Sequence, residues 1–296
     1  MTAFESWVGR TERADDTVAA MPVAALAATL DVDVPRDALP PLWHWILFTP
    51  KARASEIGPD GHPRRGGFLP PVPLPRRMWA GGRLTWHEPA GPPQGLIPEC
   101  AARRDFNQPL RVGDAIARTS RIERISERKG RSGTLVFVTV RHEIAGPRGL
   151  ALTEEHDIVY RDAPRMGDAP PPAQAAPADE GFSREIVPDP VLLFRYSALT
   201  FNGHRIHYDR SYVTEVEGYP GLVVHGPLIA TLLMQLARRE RPGLVARRFE
   251  FKAVHPVFDV HPFHVCGRDE GTGRFALWAR DHQGRLAMQA TLDFAE

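Results

Sequence analysis

The sequence has little cysteine and no excess of charge of either sign. Only Cys100 and Cys266 occur in 296 residues, without a CxxC pair or a histidine at metal-ligand spacing, so neither a disulfide framework nor a zinc site is indicated. The 37 basic and 36 acidic residues leave a net charge of +1, which gives no bulk attraction to nucleic acid or anionic lipid. We therefore expect small molecules or protein surfaces as partners, and neither nucleic acid nor a membrane.

Long apolar runs are also missing. No stretch reaches the roughly 18 residues that a membrane-spanning helix needs, and the segment MTAFESWVGRTERADD lacks the apolar core of a signal peptide. We therefore expect a cytoplasmic protein with reduced, structural thiols. A chain of this length predicts two modules of about 150 residues each.

Proline and alanine dominate residues 163–181, APRMGDAPPPAQAAPADEG, where no apolar periodicity remains. This composition is typical of an extended, semi-stiff linker. We therefore predict an N-terminal unit at residues 1–162, a linker at 163–181 and a C-terminal unit at 182–296.

The C-terminal unit contains the clearest helix of the sequence, HGPLIATLLMQLARRE. Its apolar residues at Leu228, Ile229, Leu232, Leu233 and Leu236 follow helical spacing with a wide buried face. Four strand candidates follow, separated by glycine-containing turns: RRFEFKAVHPVF, FHVCGRDE, RFALWARD and RLAMQATLDFA. One long helix followed by antiparallel strands predicts an α+β fold with the helix packed along the sheet.

The N-terminal unit repeats this order faintly. MPVAALAATLD and LPPLWHWILF predict two short helices, RRMWAGGRLTWHE echoes RRFEFKAVHPVF, and a strand meander follows between residues 113 and 162. GRTERADDTV then takes the place of FNGHRIHYDRS and has neither Asn nor His, which predicts that the C-terminal unit supplies the active centre. Residues 88–108 interrupt the meander as a surface loop; the alternative is that their apolar residues cover a ligand tunnel or a subunit contact.

The densest group of potentially reactive side chains is TFNGHRIHYD. It resembles the signature of the MaoC-like enoyl-CoA hydratases, the hydratase 2 family, in which Asp is followed by any residue, Asn, Pro, an aliphatic residue and His. In this comparison Asn202 stands at the Asp position, His204 at the Asn, Arg205 at the Pro, Ile206 at the aliphatic residue and His207 at the His. The departure from Asp to Asn affects the two-residue acid/base scheme of the family.

GLVVHGPLIATLL is similar to the start of the central helix of that family, and the resemblance is specific over about residues 191–260. It implies a double hotdog, with two antiparallel sheets each wrapped around a central helix. The closest subgroup contains mesaconyl-C4-CoA or 3-methylfumaryl-CoA hydratases and mitochondrial-type 3-hydroxyacyl-thioester dehydratases. The resemblance also implies a homodimer, an acyl-CoA substrate, no metal, and no cofactor other than the coenzyme A of the substrate.

Hydration of an enoyl thioester needs a base for the water, an acid for the α-carbon and donors for the enolate oxygen. His207 is the expected acid and base, because imidazole titrates near neutral pH; the alternative is a histidine that only bonds a local carbonyl. Asn202 cannot exchange a proton, but its amide can orient a water molecule. The alternative for Asn202 is an Asx-type turn.

Gly226 is the expected oxyanion donor, because a helix start presents unpaired N–H groups and glycine lets an oxygen approach closely. Pro227 is expected at the first helical position. For His225 we favour contact with a neighbouring loop over direct catalysis, and for Asp209 a capping role. The expected substrate-binding residues are Arg195, Arg205, Tyr219, Val224 and His225.

The residue at position 202 also affects which substrate charge the site can accept. An Asp there would repel a carboxylate at the far end of a short acyl chain, whereas Asn202 would not. Arg195 or Arg205 could pair with that carboxylate; the alternative is that both face solvent or the phosphates of coenzyme A. The favoured substrate is therefore a short, branched dicarboxylic enoyl-CoA of the mesaconyl-C4-CoA or itaconyl-CoA type.

Three other functions stay open. The chain could be a 3-hydroxyacyl-thioester dehydratase of fatty-acid metabolism or a non-catalytic protein that binds acyl thioesters. A hotdog thioesterase is the third, and it would need a carboxylate where Asn202 stands. Assays of enoyl absorbance and of released coenzyme A separate hydration, hydrolysis and simple binding.

Overall fold

The computed structural model describes residues 4–88, 109–130, 133–162 and 173–295. Ten strands and three α-helices make up its regular structure. The strands are β1 (Thr11–Thr17), β2 (Arg76–Trp86), β3 (Ala115–Gly130), β4 (Gly133–Gly146), β5 (Gly149–Arg161), β6 (Phe182–Ile186), β7 (Val245–Ala253), β8 (Phe263–Gly271), β9 (Arg274–Arg280) and β10 (Leu286–Ala295). The helices are α1 (Ala20–Leu30), α2 (Pro190–Leu199) and α3 (Gly226–Glu240).

All ten strands belong to one antiparallel sheet. Their spatial order is β1-β3-β4-β5-β2-β7-β10-β9-β8-β6, so each half of the chain contributes five neighbouring strands. From the outer edge inward, the first half has the order β1-β3-β4-β5-β2 and the second half the order β6-β8-β9-β10-β7. In both halves this is the first, third, fourth, fifth and second strand of that half. The internal repeat is therefore real, but the prediction of two separate sheets is wrong, because β2 pairs directly with β7.

The strand predictions are confirmed in both halves. The meander after residue 113 forms β3, β4 and β5, and the four C-terminal candidates form β7 to β10. RRMWAGGRLTWHE and RRFEFKAVHPVF, which echo each other in sequence, supply the two strands that join the halves, with Gly82 opposite Phe251 and Leu84 opposite Phe249.

Helix α3 is the long amphipathic helix that its apolar spacing predicts. It packs against β8, β9 and β10, and Leu228, Leu233 and Ala237 on its inner face are fully buried. Arg238 and Arg239 lie in its last turn, where cations complement the helix dipole. Gly226 is the first helical residue, so Pro227 occupies the second position rather than the predicted first.

The N-terminal half has no counterpart of α3 among the described residues. MPVAALAATLD forms α1, as predicted, and α1 packs against α2. LPPLWHWILF forms only the single 3₁₀ turn Trp43–Ile46, because Leu42 and Phe48 both adopt left-handed backbone conformations (φ 72° and 52°) that end a helix. The prediction of a central helix in each half is therefore wrong for the first half.

The segment GRTERADDTV was matched to the wrong part of the second half. It forms β1, which pairs with β3 at the edge of the sheet. Its structural equivalent is β6, which pairs with β8 at the opposite edge. The first half can therefore contribute polar residues to a site from a different segment.

The two irregular segments are described in part. Residues 89–108, with Cys100, Leu96, Ile97 and Phe106, lie outside the described residues, as do residues 163–172. The rest of the predicted linker is attached to the C-terminal half, since Ala176 N–H donates to the Gly284 carbonyl and Leu286 N–H to the Gln174 carbonyl.

Cys266 is fully buried, and burial raises the pKa of its thiol to about 11. Such a thiol stays protonated and unreactive near neutral pH, so Cys266 serves packing. No helix in the described part of the chain is long and apolar enough to cross a membrane.

A buried carboxylate connects the 3₁₀ turn of the first half to the sheet. Glu154 on β5 is 2% exposed, and its oxygens lie 3.0 Å from His44 Nε2, 2.7 Å from Trp45 Nε1 and 2.6 Å from His156 Nε2. Burial raises the pKa of Glu154, but His156 and His44 outweigh it, so the pKa lies well below its usual range. These contacts fix the Trp43–Ile46 turn where a longer helix is missing.

Replacing Glu154 with Gln should destabilise the fold by about 3 kcal/mol, because it removes a buried charge while its donors stay buried. The folded-state pKa is depressed, so this stability is present above the unfolded pKa and is lost as pH falls through the folded one. Denaturant unfolding at pH 7 and at about pH 3, below the usual pKa of a glutamate, measures both effects. Glu143→Gln is the control, since Glu143 pairs with Arg141 on the surface. Equal unfolding free energies for the two variants would contradict the prediction.

Candidate active site

A cavity of about 770 Å³ lies between the two halves of the chain. The C-terminal half lines it with Asn202, His204 and His207 and with the start of α3. The N-terminal half lines it with residues 58–65 and with the start of β2. Its volume suits a small-molecule ligand, and its lining includes several histidines.

His207 ends the 3₁₀ turn Arg205–His207 and is 8% exposed. Its Nδ1 lies 2.7 Å from the Val223 carbonyl oxygen, and because a carbonyl only accepts, Nδ1 carries the proton. Nε2 is therefore the ring nitrogen left to accept a proton. Burial lowers the pKa of His207 to about 4, against the opposing effect of the Val223 hydrogen bond, so the imidazole is neutral near pH 7.

The ring of His225 packs against the ring of His207. The two rings are stacked, with centroids 3.7 Å apart and planes at 17°. His225 is 1% exposed, and its Nε2 lies 2.8 Å from Ser197 Oγ. It does not line the cavity, and its contacts are with His207 and with Ser197 and Tyr196 on α2. Its predicted part in substrate binding stays a prediction.

Asn202 lines the cavity and also forms the Asx turn. Its Oδ1 accepts a hydrogen bond from His204 N–H at 3.1 Å, while its own N–H donates to the Ser197 carbonyl. One oxygen lone pair and the amide NH₂ group remain for a ligand. The two interpretations of Asn202 are thus compatible, since the turn orients the amide at the wall of the cavity.

Gly226, Val224 and Tyr219 all line the cavity. A Cβ on Gly226 would meet only Met288 Cε, at 3.9 Å, so this face of the helix start is open. Val224 N–H donates to the Val257 carbonyl, which holds the segment before α3 in place. The Tyr219 hydroxyl accepts from Arg76 at 3.2 Å.

The two arginines predicted to bind substrate lie elsewhere. Arg195 is exposed on α2 and does not line the cavity. Arg205 forms an ion pair with Asp209 at 2.8 Å and donates to the Pro59 carbonyl at 3.1 Å. Asp209 also accepts from Tyr212 N–H at 3.1 Å and so caps the following π-helical turn, as predicted.

Two residues that the sequence analysis missed complete the site. Asp60 and His62 lie in the irregular segment before β2, and both line the cavity. Asp60 Oδ1 accepts from His62 N–H at 3.0 Å, and Asp60 Oδ2 lies 3.1 Å from His62 Nδ1. His62 is therefore oriented by a carboxylate, with Nε2 as its free ring nitrogen.

Asp60-Gly61-His62 and Asn202-Gly203-His204 are the same kind of tripeptide, each with an Asx turn from its first to its third residue. Their backbones touch: a Cβ on Gly61 would lie 1.8 Å from the Gly203 carbonyl oxygen, and one on Gly203 would lie 2.7 Å from that of Gly61. Gly61 also has φ 87°, a conformation that other residues rarely adopt. Both glycines are needed to bring the two halves together here.

The two histidines of these tripeptides also pack against each other. The centroids of the His62 and His204 rings are 4.0 Å apart, and His204 stands edge-on to His207 at 5.5 Å. Burial lowers the pKa of His204 to about 2, and the pKa of His62 falls for the same reason although Asp60 raises it. Burial raises the pKa of Asp60, but hydrogen bonds from His62 outweigh this and keep it ionised.

Asp60, His62 and His204 form the one group in the described residues that could hold a metal ion. Their ligand atoms lie within 4.8 Å of one another. A metal bound to His62 Nδ1 would have to displace the proton shared with Asp60. The prediction that no metal is needed stays a prediction.

A signal for Asp60 and His62 does exist in the sequence. PDGHP and FNGHR share the pattern of a short polar residue, glycine and histidine. The first copy lies in a proline-rich segment without apolar periodicity, where functional residues are often found. Neither copy alone reveals that the two segments meet.

Comparison with known proteins places the chain among the hydro-lyases. The family model for hydroxyacyl-thioester dehydratase type 2 matches residues 42–259, and the chain belongs to this family. It is 44% identical to mesaconyl-C(4)-CoA hydratase of Chloroflexus aurantiacus, over 97% of this chain and 96% of that one.

More distant relatives support the same family and the same fold. The identity to the mitochondrial hydroxyacyl-thioester dehydratase type 2 of Schizosaccharomyces pombe is 26%, over 89% of this chain and 90% of that one. A double-hotdog protein of Mycobacterium tuberculosis superposes with a TM-score of 0.55 at 13% identity, covering 97% and 96% of the two chains. The latter likeness supports the fold, a double hotdog with one continuous sheet.

Replacing Gly61 with Ala should lower both stability and activity, because the added Cβ would overlap the Gly203 carbonyl and strain the backbone. We expect the free energy of unfolding to fall by at least about 2 kcal/mol. We also expect the folded variant to have a lower turnover than the unmodified chain. Thermal unfolding and an enoyl-CoA hydration assay measure the two effects. Gly67→Ala in the same segment is the control, since its Cβ would meet nothing within 4 Å. If the two variants behaved alike, the glycine contact would not hold the site together.

Proposed function

We propose that this chain adds water reversibly across the double bond of a short, branched dicarboxylic enoyl-CoA, of the mesaconyl-C4-CoA or itaconyl-CoA type. The observation that carries the proposal is the buried, neutral His207, whose Nδ1 is committed to Val223 and whose Nε2 remains for a proton. The 44% identity to a mesaconyl-C(4)-CoA hydratase over nearly the whole chain supports the substrate class.

In the proposed hydration, His207 Nε2 takes a proton from a water molecule that the Asn202 amide holds in place. The water oxygen bonds to the β-carbon, and the electron pair of the double bond moves towards the thioester oxygen. The N–H of Gly226 at the start of α3 stabilises the resulting enolate, since none of the described backbone hydrogen bonds uses it. A proton delivered to the α-carbon completes the reaction.

The charge of the cavity supports a substrate with its own carboxylate. Arg77 lines the cavity and lies close enough to His62 and His204 to lower the pKa of both. It forms no ion pair with any carboxylate in the described part of the chain, unlike Arg76, which pairs with Glu217 at 3.2 Å. We therefore assign the substrate carboxylate to Arg77, in place of Arg195 or Arg205. Val224 and Tyr219 complete the proposed acyl pocket.

The reverse reaction on a fatty 3-hydroxyacyl thioester is the second candidate, supported by the Schizosaccharomyces pombe relative. A thioesterase would need a nucleophile or base beside the carbonyl carbon rather than an imidazole that serves the β-carbon. Comparing turnover of dicarboxylic and aliphatic enoyl-CoA substrates separates the first two candidates. The predicted homodimer and the cytoplasmic location remain proposals that rest on the family resemblance and on composition.

Replacing His207 with Ala should reduce hydration at least about 100-fold, because it removes the group that takes the water proton. The measurement is the loss of enoyl absorbance with mesaconyl-C4-CoA and with crotonyl-CoA. His261→Ala is a control, since His261 is exposed and does not line the cavity. Retention of more than about a tenth of the rate in a folded His207→Ala variant would rule out its acid/base role.

Asn202→Asp should weaken activity on mesaconyl-C4-CoA while sparing activity on crotonyl-CoA. At about 5 Å and an effective dielectric near 20, two like charges cost roughly 3 kcal/mol, or about two powers of ten in the specificity constant. Arg77→Gln should shift the same ratio of specificity constants in the same direction, by about tenfold or more, because it removes a charged donor.

The measured quantity is the ratio of kcat/KM for the charged and the uncharged substrate. Arg205→Gln serves as the matched arginine control, because its guanidinium is bound to Asp209 and Pro59. A ratio that neither Asn202→Asp nor Arg77→Gln changes would contradict the proposed recognition of a substrate carboxylate.

A further inference from the structure

We propose that His62, oriented by Asp60, is a second acid–base residue of the site and exchanges the proton at the α-carbon of the substrate. The proposal rests on the function proposed above. It starts from the C-terminal signature, which has Asn202 where the MaoC-like signature that it resembles has a carboxylate. The second acid–base group of that two-residue scheme is therefore missing from these positions, and another residue of the cavity can supply it.

The carboxylate enters the cavity from the other half of the chain. Asp60-Gly61-His62 adopts the same Asx turn as Asn202-Gly203-His204 and packs directly against it. The first tripeptide carries Asp where the second carries Asn. The site therefore contains one acidic and one amide copy of the same local structure, side by side.

Four histidines line the cavity, namely His62, His204, His207 and His255. Among them His62 has a carboxylate oxygen, Asp60 Oδ2, at 3.1 Å from Nδ1. A carboxylate in this position fixes the tautomer and stabilises the imidazolium form. The His204 ring packs against His62 at a tilt of 39°, and the polar partner of His207 is a neutral carbonyl. A proton held in this cluster is therefore most stable on His62.

The proton balance is then complete. In hydration, a proton moves from water to His207 Nε2, the C–O bond forms at the β-carbon, and the enolate takes a proton from Nε2 of the His62 imidazolium. One proton has then moved from His62 to His207. It returns to His62 through His204, whose ring contacts both of the others, or through solvent. In dehydration, neutral His62 takes the α-proton and the His207 imidazolium protonates the leaving hydroxyl group.

The charged groups around His62 are Asp60, Arg65 and Arg77 from the N-terminal half. The neutral titratable groups near it are His204 and His207 from the C-terminal half. Asp60 alone among them raises the pKa of His62. Its removal should lower that pKa, so the imidazolium needed for hydration would be lost at lower pH.

The experiment compares kcat and KM for crotonyl-CoA hydration in His62→Ala, His62→Gln and Asp60→Asn, with His261→Ala as control. We expect kcat to fall about 10²–10³-fold in both His62 variants with KM nearly unchanged, and added imidazole to restore part of the rate of His62→Ala. Asp60→Asn should lower kcat and move the alkaline limb of the pH profile for hydration to lower pH. His62→Gln keeps a donor for Asp60 and so separates loss of chemistry from loss of folding, which circular dichroism checks.

Retention of more than about a tenth of kcat in a folded His62 variant, or a loss confined to KM, would overturn the proposal. So would inactivation of the unmodified chain by a chelator with recovery on adding Zn²⁺, because Asp60, His62 and His204 would then be metal ligands. If the unmodified chain hydrated neither crotonyl-CoA nor mesaconyl-C4-CoA, the proposed function would fail, and this inference with it. Hydration by the unmodified chain that persists without His62 contradicts this inference alone.

Discussion

The contact between Gly61 and Gly203 is the constraint on which the site depends. Two backbones approach so closely here that a single Cβ on Gly61 would lie 1.8 Å from a carbonyl oxygen of the other half. Each glycine is flanked by a polar residue and a histidine, so the contact brings Asp60, His62, Asn202 and His204 to one wall of the cavity. The β2–β7 pairing joins the halves within the sheet, and the glycine contact joins them at the site.

Burial determines the protonation state of the histidines at and behind this wall of the cavity. His204, His207 and His225 all have lowered pKa values because they are removed from water, and like charges on neighbouring rings would add to the cost. A row of neutral imidazoles can accept protons but cannot hold several at once. The carboxylate of Asp60 opposes this effect of burial at His62 and His204, which makes its supply from the N-terminal half chemically significant.

The parts of the fold that the sequence predicted are those with local signals. Apolar residues at helical spacing define α3, alternation defines the strands of both meanders, and the TFNGHRIHYD signature located Asn202 and His207 at the cavity. The joining of β2 to β7 was not predictable in this way, because strand pairing between halves depends on long-range register. LPPLWHWILF has helical spacing but contains two left-handed residues, whose conformations the apolar pattern does not show.

Asp60 and His62 were missed for a related reason. They lie about 140 residues from Asn202 in a segment without periodicity, and the expectation of a single catalytic unit placed the whole site in the second half. The same segment occupies the part of the first half where a helix equivalent to α3 is missing. A continuous helix there would present one regular face to the cavity and could not place a tight turn against Gly203. The irregular backbone of this segment, held by the contacts of Glu154 to the Trp43–Ile46 turn, is therefore what lets the first half of a repeated fold bring Asp60 and His62 to the cavity.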